Sequence, residues 1–399
     1  MSNQPKKFLC ISTYFKGVDF LKSCKAEGNE VYLLTKKSLE HEKWPWDAID
    51  DVFYIDKWNH SDVVKGIAYQ FRTIKFDRFT ALDDFDVEKV ALLREHFRVP
   101  GMGRTTAHYF RDKLAMRLKA EREGVNVPEF TSLFNNESIN EYVERVQPPW
   151  LLKPRMEASA TGIKKVHSKE ELWQIIDVLE DERDNYLVEK FAPGDVYHVD
   201  GLNNNGKVVF SRASKYLDTP FEVAHGGGIF RSASCQIGSK DEKALQKMNK
   251  EVMKAFGMQF GASHTEFIKS KATGELFFLE TSSRVGGANL AEMVDAASNV
   301  NLWKEWARIE SAELSGDEYK LPKLKNKYAG IVVSLSRHEH PDTSSFNEPE
   351  IVWRMDKAWH IGLIVASDSS ERVLELLDQF SSKIASEFHA SLPAPDKSV

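Results

Sequence analysis

Residues 261–288 hold two hydrophobic runs, each carrying a glutamate and separated by a turn, and this limits what the segment can become. Ser263 to Lys269 reads as one strand and Leu276 to Glu280 as a second. Thr273-Gly274 between them is a turn signal, so the pair is expected to close as an antiparallel hairpin. On such a hairpin Glu266 and Glu280 come to neighbouring positions of one sheet. Two carboxylates held close repel each other unless a cation lies between them. Magnesium suits that arrangement, because it takes carboxylate oxygens and keeps phosphate oxygens among its other ligands. After Glu280 come Thr281-Ser282-Ser283-Arg284-Val285-Gly286-Gly287, a short polar turn, an arginine and a glycine pair. Without those neighbours, the two glutamates would read as surface residues at strand ends.

The 399 residues suffice for two or three domains. The first hundred or so alternate strand and helix. Lys7 to Ser12, Glu30 to Thr35, Val52 to Ile55 and Phe79 to Leu82 read as strands. Gly17 to Gly28, Val63 to Phe71 and Val87 to Phe97 read as helices. This is the pattern of βαβ units and a parallel sheet. It contains no G-x-G-x-x-G, so no dinucleotide site is expected. The acidic cluster Asp83, Asp84, Asp86 after the fourth strand reads as a solvated loop, with a substrate role as the lesser alternative. Thr105 to Glu123 and Ala291 to Ile309 each read as one long helix. Ser168 with Glu171 forms a capping box for a helix to Leu179. A hairpin is expected around Asn203-Asn204-Asn205-Gly206, helices over Lys240 to Phe256 and Ser370 to Glu387, a linker after Lys320, and strands near Ala329 to Ser336 and Ala358 to Ser367.

The net charge of −6 and pI of about 6.1 argue against a sequence-independent grip on nucleic acid, which needs a basic face. Cys10, Cys24 and Cys235 are scattered and show no metal-ligand spacing, so neither a disulfide scaffold nor a zinc site is expected. Met1 to Ser12 does not read as a signal peptide, and the apolar runs are too short to span a bilayer. The expectation is a cytoplasmic protein with no membrane or nucleic-acid partner.

The hairpin, with the polar turn and glycines after it, resembles the metal-binding strands of ATP-grasp enzymes, whose second strand typically ends in Glu-x-Asn-x-Arg before glycines. Further matches fall in the family's order. Val99-Pro100-Gly101 is similar to the end of its N-terminal domain. Arg111-Asp112-Lys113-Leu114-Ala115-Met116-Arg117, with Glu123-Gly124-Val125-Asn126-Val127-Pro128, is similar to the helix that opens its central unit. Leu151-Leu152-Lys153-Pro154 resembles its strand with a phosphate-contacting lysine. Leu187-Val188-Glu189-Lys190-Phe191 and Pro193-Gly194-Asp195 resemble its adenine-holding hinge. The resemblance runs from about Lys7 to Glu387. It implies an α/β and α+β fold. A Rossmann-like (pre-ATP-grasp) domain over 1–104 is followed by an ATP-grasp fold over 105–318, with a small lid lobe at about 120–187, and by a C-terminal α+β lobe over 319–399. It implies ATP and Mg2+ as cofactors, with two ions expected and Mn2+ as the alternative metal. The partners implied are a small-molecule carboxylate and an amine, with a homodimer admitted.

Residue by residue, the resemblance places Lys113 and Lys153 on the triphosphate. Glu266, Glu280 and Ser282 fall on the metal, Ser282 standing where the family usually has asparagine. The loop Arg155 to Gly162, with Ser159 at its centre, would close over the phosphates. The backbone of Lys190 and Phe191 would meet the adenine edge, with Glu189 accepting from the exocyclic amine. The family's ribose-holding carboxylate position is Val196, so Asp195 or His198 is expected to substitute. Arg284 would hold the γ-phosphate or clamp the substrate carboxylate. The segment Lys215 to Arg231, with its triplet Gly226-Gly227-Gly228, reads as a mobile loop near an anionic substrate. Lys215, Gly227 and Arg231, together with Gly286 and Gly287, are candidate substrate residues, and His225 would orient the carboxylate or help deprotonate the amine. The implied chemistry is a carboxylate–amine ligase working through an acylphosphate. A biotin-carboxylase-like enzyme using bicarbonate and a non-catalytic nucleotide-binding protein are the alternatives.

Overall fold

The computed structural model describes residues 4–158, 160–219, 223 and 227–391. At the N-terminus, strands Lys7–Ser12, Glu30–Lys36, Asp51–Ile55 and Arg78–Ala81 form a four-stranded sheet in the order third, second, first, fourth, parallel throughout. The first strand is central and buried on both faces, as an unbroken Phe-Leu-Cys-Ile run requires. Helices Val18–Ala26, His60–Gln70 and Val87–Phe97 pack against it.

Neither long helix expected from the sequence is continuous. The stretch 105–123 divides between Arg104–His108 and Lys113–Arg122. The break comes where the Asp112 carboxylate accepts from the N–H groups of Leu114 (2.9 Å) and Ala115 (3.4 Å), capping a new helix start. Residues 291–309 likewise divide between Leu290–Ser298 and Leu302–Ser315. Asn299 takes a left-handed φ of 64°, and Asn301 caps the second helix through Lys304 N–H. In both places a short polar side chain offers the backbone a local alternative to the helical ladder.

A second, antiparallel sheet runs Phe130–Ser132, Tyr186–Lys190, Trp150–Pro154, Lys164–Val166. Helices Asn136–Arg145 and Lys169–Leu179 cover it, around a core that includes Trp150, Leu152 and Val188. Ser168 caps the second helix as expected. The reciprocal bond from Glu171 goes to His167 N–H (2.7 Å), one residue outside the usual capping box.

The third sheet has nine strands. Its path is Leu276–Ser282, Gly261–Ser270, Gly194–Asn204, Lys207–Tyr216, Phe230–Ser234, Tyr328–Ser336, His360–Ser367, Ile351–Arg354, with His389–Ala390 beside Tyr328–Ser336. The strands after residue 319 therefore extend the central sheet. Phe230–Ser234, which begins inside the segment expected to be a mobile loop, is the joining strand, with Phe230 opposite Val333. Lys240–Phe256 and Ser370–Glu387 pack on this sheet. Among the described residues no helix is long and apolar enough to cross a membrane.

Trp150 anchors the core of the small sheet at 1% exposure. Trp150→Ala should cost about 3–5 kcal/mol locally. It should appear in hydrogen exchange as selective loss of protection in residues 130–190, with the N-terminal sheet unaffected. Uniform loss across the chain would show that the small sheet does not unfold by itself.

Candidate active site

A cavity of about 660 Å³ opens between the small sheet, the 261–282 hairpin and the N-terminal unit, within the range of ligand pockets. Apolar Phe191, Val196, Ile268 and Leu279 form part of its wall. The rest is dense in charge.

The hairpin register puts Glu266 directly opposite Glu280, with a bulge after Glu266, and both line the cavity. Glu280 Oε2 lies 3.0 Å from Lys113 Nζ. Burial pushes the Glu280 carboxyl up, but Lys113 and then Lys153 and Arg117 overrule it and hold the group well below its usual range. Glu266 Oε1 accepts from the Tyr216 hydroxyl at 2.8 Å and lies 3.5 Å from His264 Nε2. Ser282, opposite His264 in the register, also lines the cavity. Two facing carboxylates with a hydroxyl two residues on form an all-oxygen donor set, which fits a hard divalent cation. Lys113 also donates to Glu157 O at 2.5 Å.

Lys153 lines the same cavity and is paired with Glu189. Glu189 is 1% exposed and bound from its other side by Arg117, at 2.9 Å through Nε and 2.8 Å through Nη2. Burial raises its pKa, but Arg117 and Lys153 more than reverse this, so it stays ionised. Its carboxylate is paired with two cations, and Glu189 also lines the cavity. The N–H groups of Lys190 and Phe191 are committed too, to Glu129 O (2.8 Å) and Pro149 O (3.0 Å), because the strand edge continues past Lys190. Both residues still line the cavity, and Lys165 Nζ stands 3.9 Å from the centre of the Phe191 ring.

Other expected positions separate by strand alternation. His198 is fully buried. Its Nδ1 pairs with Asp200 Oδ2 (2.6 Å) and its Nε2 with Ser232 Oγ (2.7 Å), so it cannot reach a ribose. Asp195 lines the cavity but is paired with Lys215 at 2.9 Å. Lys215 itself does not line the cavity, whereas its neighbour Tyr216 does. Arg231 likewise lies outside, bound to Asp218 (3.0 Å) and to Asp378 of the last helix (2.6 Å), while Phe230 lines the wall. Gly227 packs against Ser391, away from the cavity. Gly287 lines the cavity. Gly286 lies where a Cβ would come within 2.8 Å of Asp200 Oδ1 and 2.9 Å of His264 Nδ1, so only glycine fits without displacing them. Arg284 lines the cavity and points its Nε toward Asp84 Oδ1, 3.9 Å away. His225 and Ser159 lie outside the described residues.

The acidic cluster is not solvated. Asp83, Asp84 and Asp86 are all buried, because each satisfies a specific partner. Asp83 meets Lys16 at 2.8 Å, Asp84 meets Arg111 at 3.0 Å, and Asp86 accepts from Thr13 N–H at 2.7 Å. Asp84 and Arg111 line the cavity. Sequence reasoning missed Arg111, Arg117, Tyr216 and His264 as site residues. His264 was legible in principle, two residues before Glu266 and hence on the same strand face. Arg117 was not, since its partner lies 72 residues away.

Burial would lower the pKa of His264, but Asp200 at 2.8 Å and then Glu266 raise it from 6.5 to about 9. A histidine raised on folding contributes stability that is full below about pH 6.5 and is lost as pH rises through about 9. The urea midpoint should therefore fall between pH 7 and pH 9.5, and His264→Gln should flatten that fall. An equal slope in both proteins would refute the assignment.

Residues 146–292 match the family described as the ATP-grasp domain. Among curated relatives, the L-arginine-specific L-amino acid ligase of Bacillus subtilis is 26% identical over 270 residues, 65% of this chain and 64% of that protein. A D-alanine–D-alanine ligase of Neisseria gonorrhoeae is 24% identical over 177 residues, 44% of this chain and 58% of that protein. The matches thus span less than two thirds of the length of either relative. The crystal structure of an L-amino acid ligase from Bacillus licheniformis superimposes with a TM-score of 0.78 at 16% identity, covering 98% of this chain and all of that one, which establishes the shared ATP-grasp fold.

Proposed function

We propose that this protein is an ATP-dependent carboxylate–amine ligase that forms an amide bond through an acylphosphate. One observation carries the reading. Glu266 faces Glu280 across a hairpin in a cavity that also holds Lys113, Lys153 and Arg284. That set suits a polyphosphate with a divalent cation, and the curated relatives named as amino-acid and D-alanine ligases point the same way.

In this reading ATP lies with its base against the apolar Phe191, Val196, Ile268 and Leu279, and its phosphates toward Lys113 and Lys153. Glu266, Glu280 and Ser282 would hold Mg2+, two ions by expectation, with Mn2+ as substitute. When bound, the metal supplies charge neutralisation for the phosphate oxygens. The γ-phosphoryl group passes to a carboxylate oxygen of the substrate and ADP leaves. The amine then attacks the acyl carbon, the C–O bond to phosphate breaks, and the amine gives up a proton as the amide forms. Phosphate replaces oxide as the leaving group. Arg284 holds the carboxylate or the phosphoryl group in transfer, and Lys153 is kept in place by Glu189. No covalent nucleophile of the enzyme takes part, so catalysis rests on alignment and charge. The domain boundaries proposed are 1–104, 105–318 and 319–399, the last contributing its strands to the central sheet.

ADP release should require both an acid and an amine, and the product mass should equal their sum less one water. Glu280→Ala should reduce turnover at least about a hundredfold, the loss expected on removing a metal-binding carboxylate worth several kcal/mol. Turnover with acid alone at the same rate would sink the ligase reading. Unchanged turnover in Glu280→Ala would sink the metal assignment.

A further inference from the structure

A second pocket, of about 240 Å³, lies away from the main cavity and shares no lining residue with it. It forms where the strand Lys207–Tyr216 stands open. On one side that strand pairs with Gly194–Asn204, with a register shift between Val208 and Phe210. On the other side its pairing with Phe230–Ser234 covers only Ser214, Lys215 and Tyr216. Val208 to Arg212 line the pocket along this open edge, faced by Gln246 and Lys250 on one helix and by Ser298, Leu324 and Lys325.

Arg212 is the telling residue. Four arginines are buried among the described residues: Arg78, Arg111, Arg117 and Arg212. Three have a carboxylate in ion-pair reach, Arg78 with Glu310 at 3.2 Å, Arg111 with Asp84 at 3.0 Å and Arg117 with Glu189 at 2.8 Å. Arg212 has none among the described residues. Its Nη2 donates to the carbonyl of Lys327, and its Nε is sealed from solvent with no hydrogen-bond partner, which leaves Nη1 as the donor free of any hydrogen bond to the described residues. The nearby Glu242 is turned elsewhere, accepting from Gly238 N–H at 2.5 Å and from Gln246 at 3.4 Å. A buried guanidinium with no carboxylate in ion-pair reach is costly, and burial lowers the pKa of this one, an effect that the more distant Glu242 charge only partly offsets. Lys250 and Lys325 add two exposed cations at the rim, and no carboxylate lines the pocket among the described residues. The helix Leu290–Ser298 ends at the pocket, and the negative end of its dipole opposes an anion. Arg212, Lys250 and Lys325 set three charges against that half charge, with Glu242 near Arg212 and Asp295 near Lys325 as the opposing carboxylates outside the pocket wall.

We propose that this pocket is a second binding site, for a small oxyanion held by Arg212 from inside and by Lys250 and Lys325 at the rim. It does not depend on the ligase reading. It does bear on the main cavity, because Leu290, which begins the helix ending at this pocket, lines that cavity, and because Arg212 sits opposite Asp200, the partner of His264.

The test uses the full chain with the main cavity filled by a non-hydrolysable ATP analogue and magnesium. Inorganic phosphate and acetate are titrated separately by calorimetry, to separate a phosphate-type from a carboxylate-type ligand. One equivalent of at least one anion should still bind. Arg212→Gln should abolish this binding, and the double variant Lys250→Gln/Lys325→Gln should weaken it about tenfold or more. Because Arg212→Gln can disturb folding, the exposed lysine pair decides the matter. No binding of either anion beyond the main cavity, or binding that the lysine pair does not affect, overturns the proposal. If the ATP analogue itself does not bind, the nucleotide reading fails, and the same titration on the unliganded chain and the lysine variant still tests this site.

Discussion

The buried cluster of Arg117, Glu189 and Lys153 holds the rest of the cleft together. Arg117 comes from the helix Lys113–Arg122, while Glu189 and Lys153 come from adjacent strands of the small sheet. Arg117 also donates to the carbonyl of Leu279, on the strand that carries Glu280. One carboxylate thus fixes two cations, and one of those cations ties the small sheet to the hairpin that carries Glu266 and Glu280. Such clusters gain little over a hydrophobic replacement when intact, but removing one member leaves an uncompensated charge, at a cost of roughly 3–5 kcal/mol. The arrangement specifies geometry more than it adds stability. Lys153 sits at the cavity wall with its ammonium already directed.

The same alternation of strand faces sorts the remaining residues. Tyr216 and Phe230 line the cavity, while Lys215 and Arg231, one residue away on the same strands, do not; Lys215 pairs with Asp195 at the cavity's edge and Arg231 with Asp218 and Asp378. His264 and Glu266 share a face by their spacing of two. Asp200 lies opposite His264 in the register and binds both it and His198, and Gly286 closes against this group because a larger residue would strike Asp200 and His264.

Local pattern was enough to read the parallel N-terminal sheet, the two hairpins and the facing glutamates, since each depends on residues close in sequence. Glu266 and Glu280 are joined by one turn, so their pairing follows from the turn and the hydrophobic alternation. What the sequence did not disclose depends on distant partners. The cluster Asp83, Asp84, Asp86 looks solvated by composition and is buried because Lys16, Arg111 and Thr13 supply counter-charge and donors. Lys215 and His198 looked available because polar residues near a motif usually are. The register of the nine-stranded sheet, which keeps one off the cavity wall and buries the other, cannot be deduced from either residue's neighbours. The broken helices failed for a subtler reason. Asp112 and Asn299 do not interrupt the apolar period, yet their backbone chemistry ends one helix and starts the next.

Two arginines in the cavity region show how position separates a structural cation from one available for chemistry. Arg117 is held through both Nε and Nη2 by Glu189 and through Nη1 by Leu279 O, so moving it would break three bonds in a dry interior. Arg284 donates from Nη1 to the carbonyl of Val285, immediately next to it in the chain, and its Nε stands 3.9 Å from Asp84 Oδ1, beyond hydrogen-bond reach. Neither Arg284 Nε nor Asp84 Oδ1 has a hydrogen-bond partner among the described residues. Arg284 is therefore the less constrained guanidinium, its Nη1 turned back on the adjacent carbonyl and its Nε facing a carboxylate of the N-terminal unit that Arg111 already holds. An anion offering two oxygens would satisfy Arg284 better than Asp84 does at that distance. The N-terminal unit thereby contributes a weak electrostatic competitor at the cleft, which keeps the guanidinium oriented without binding it firmly.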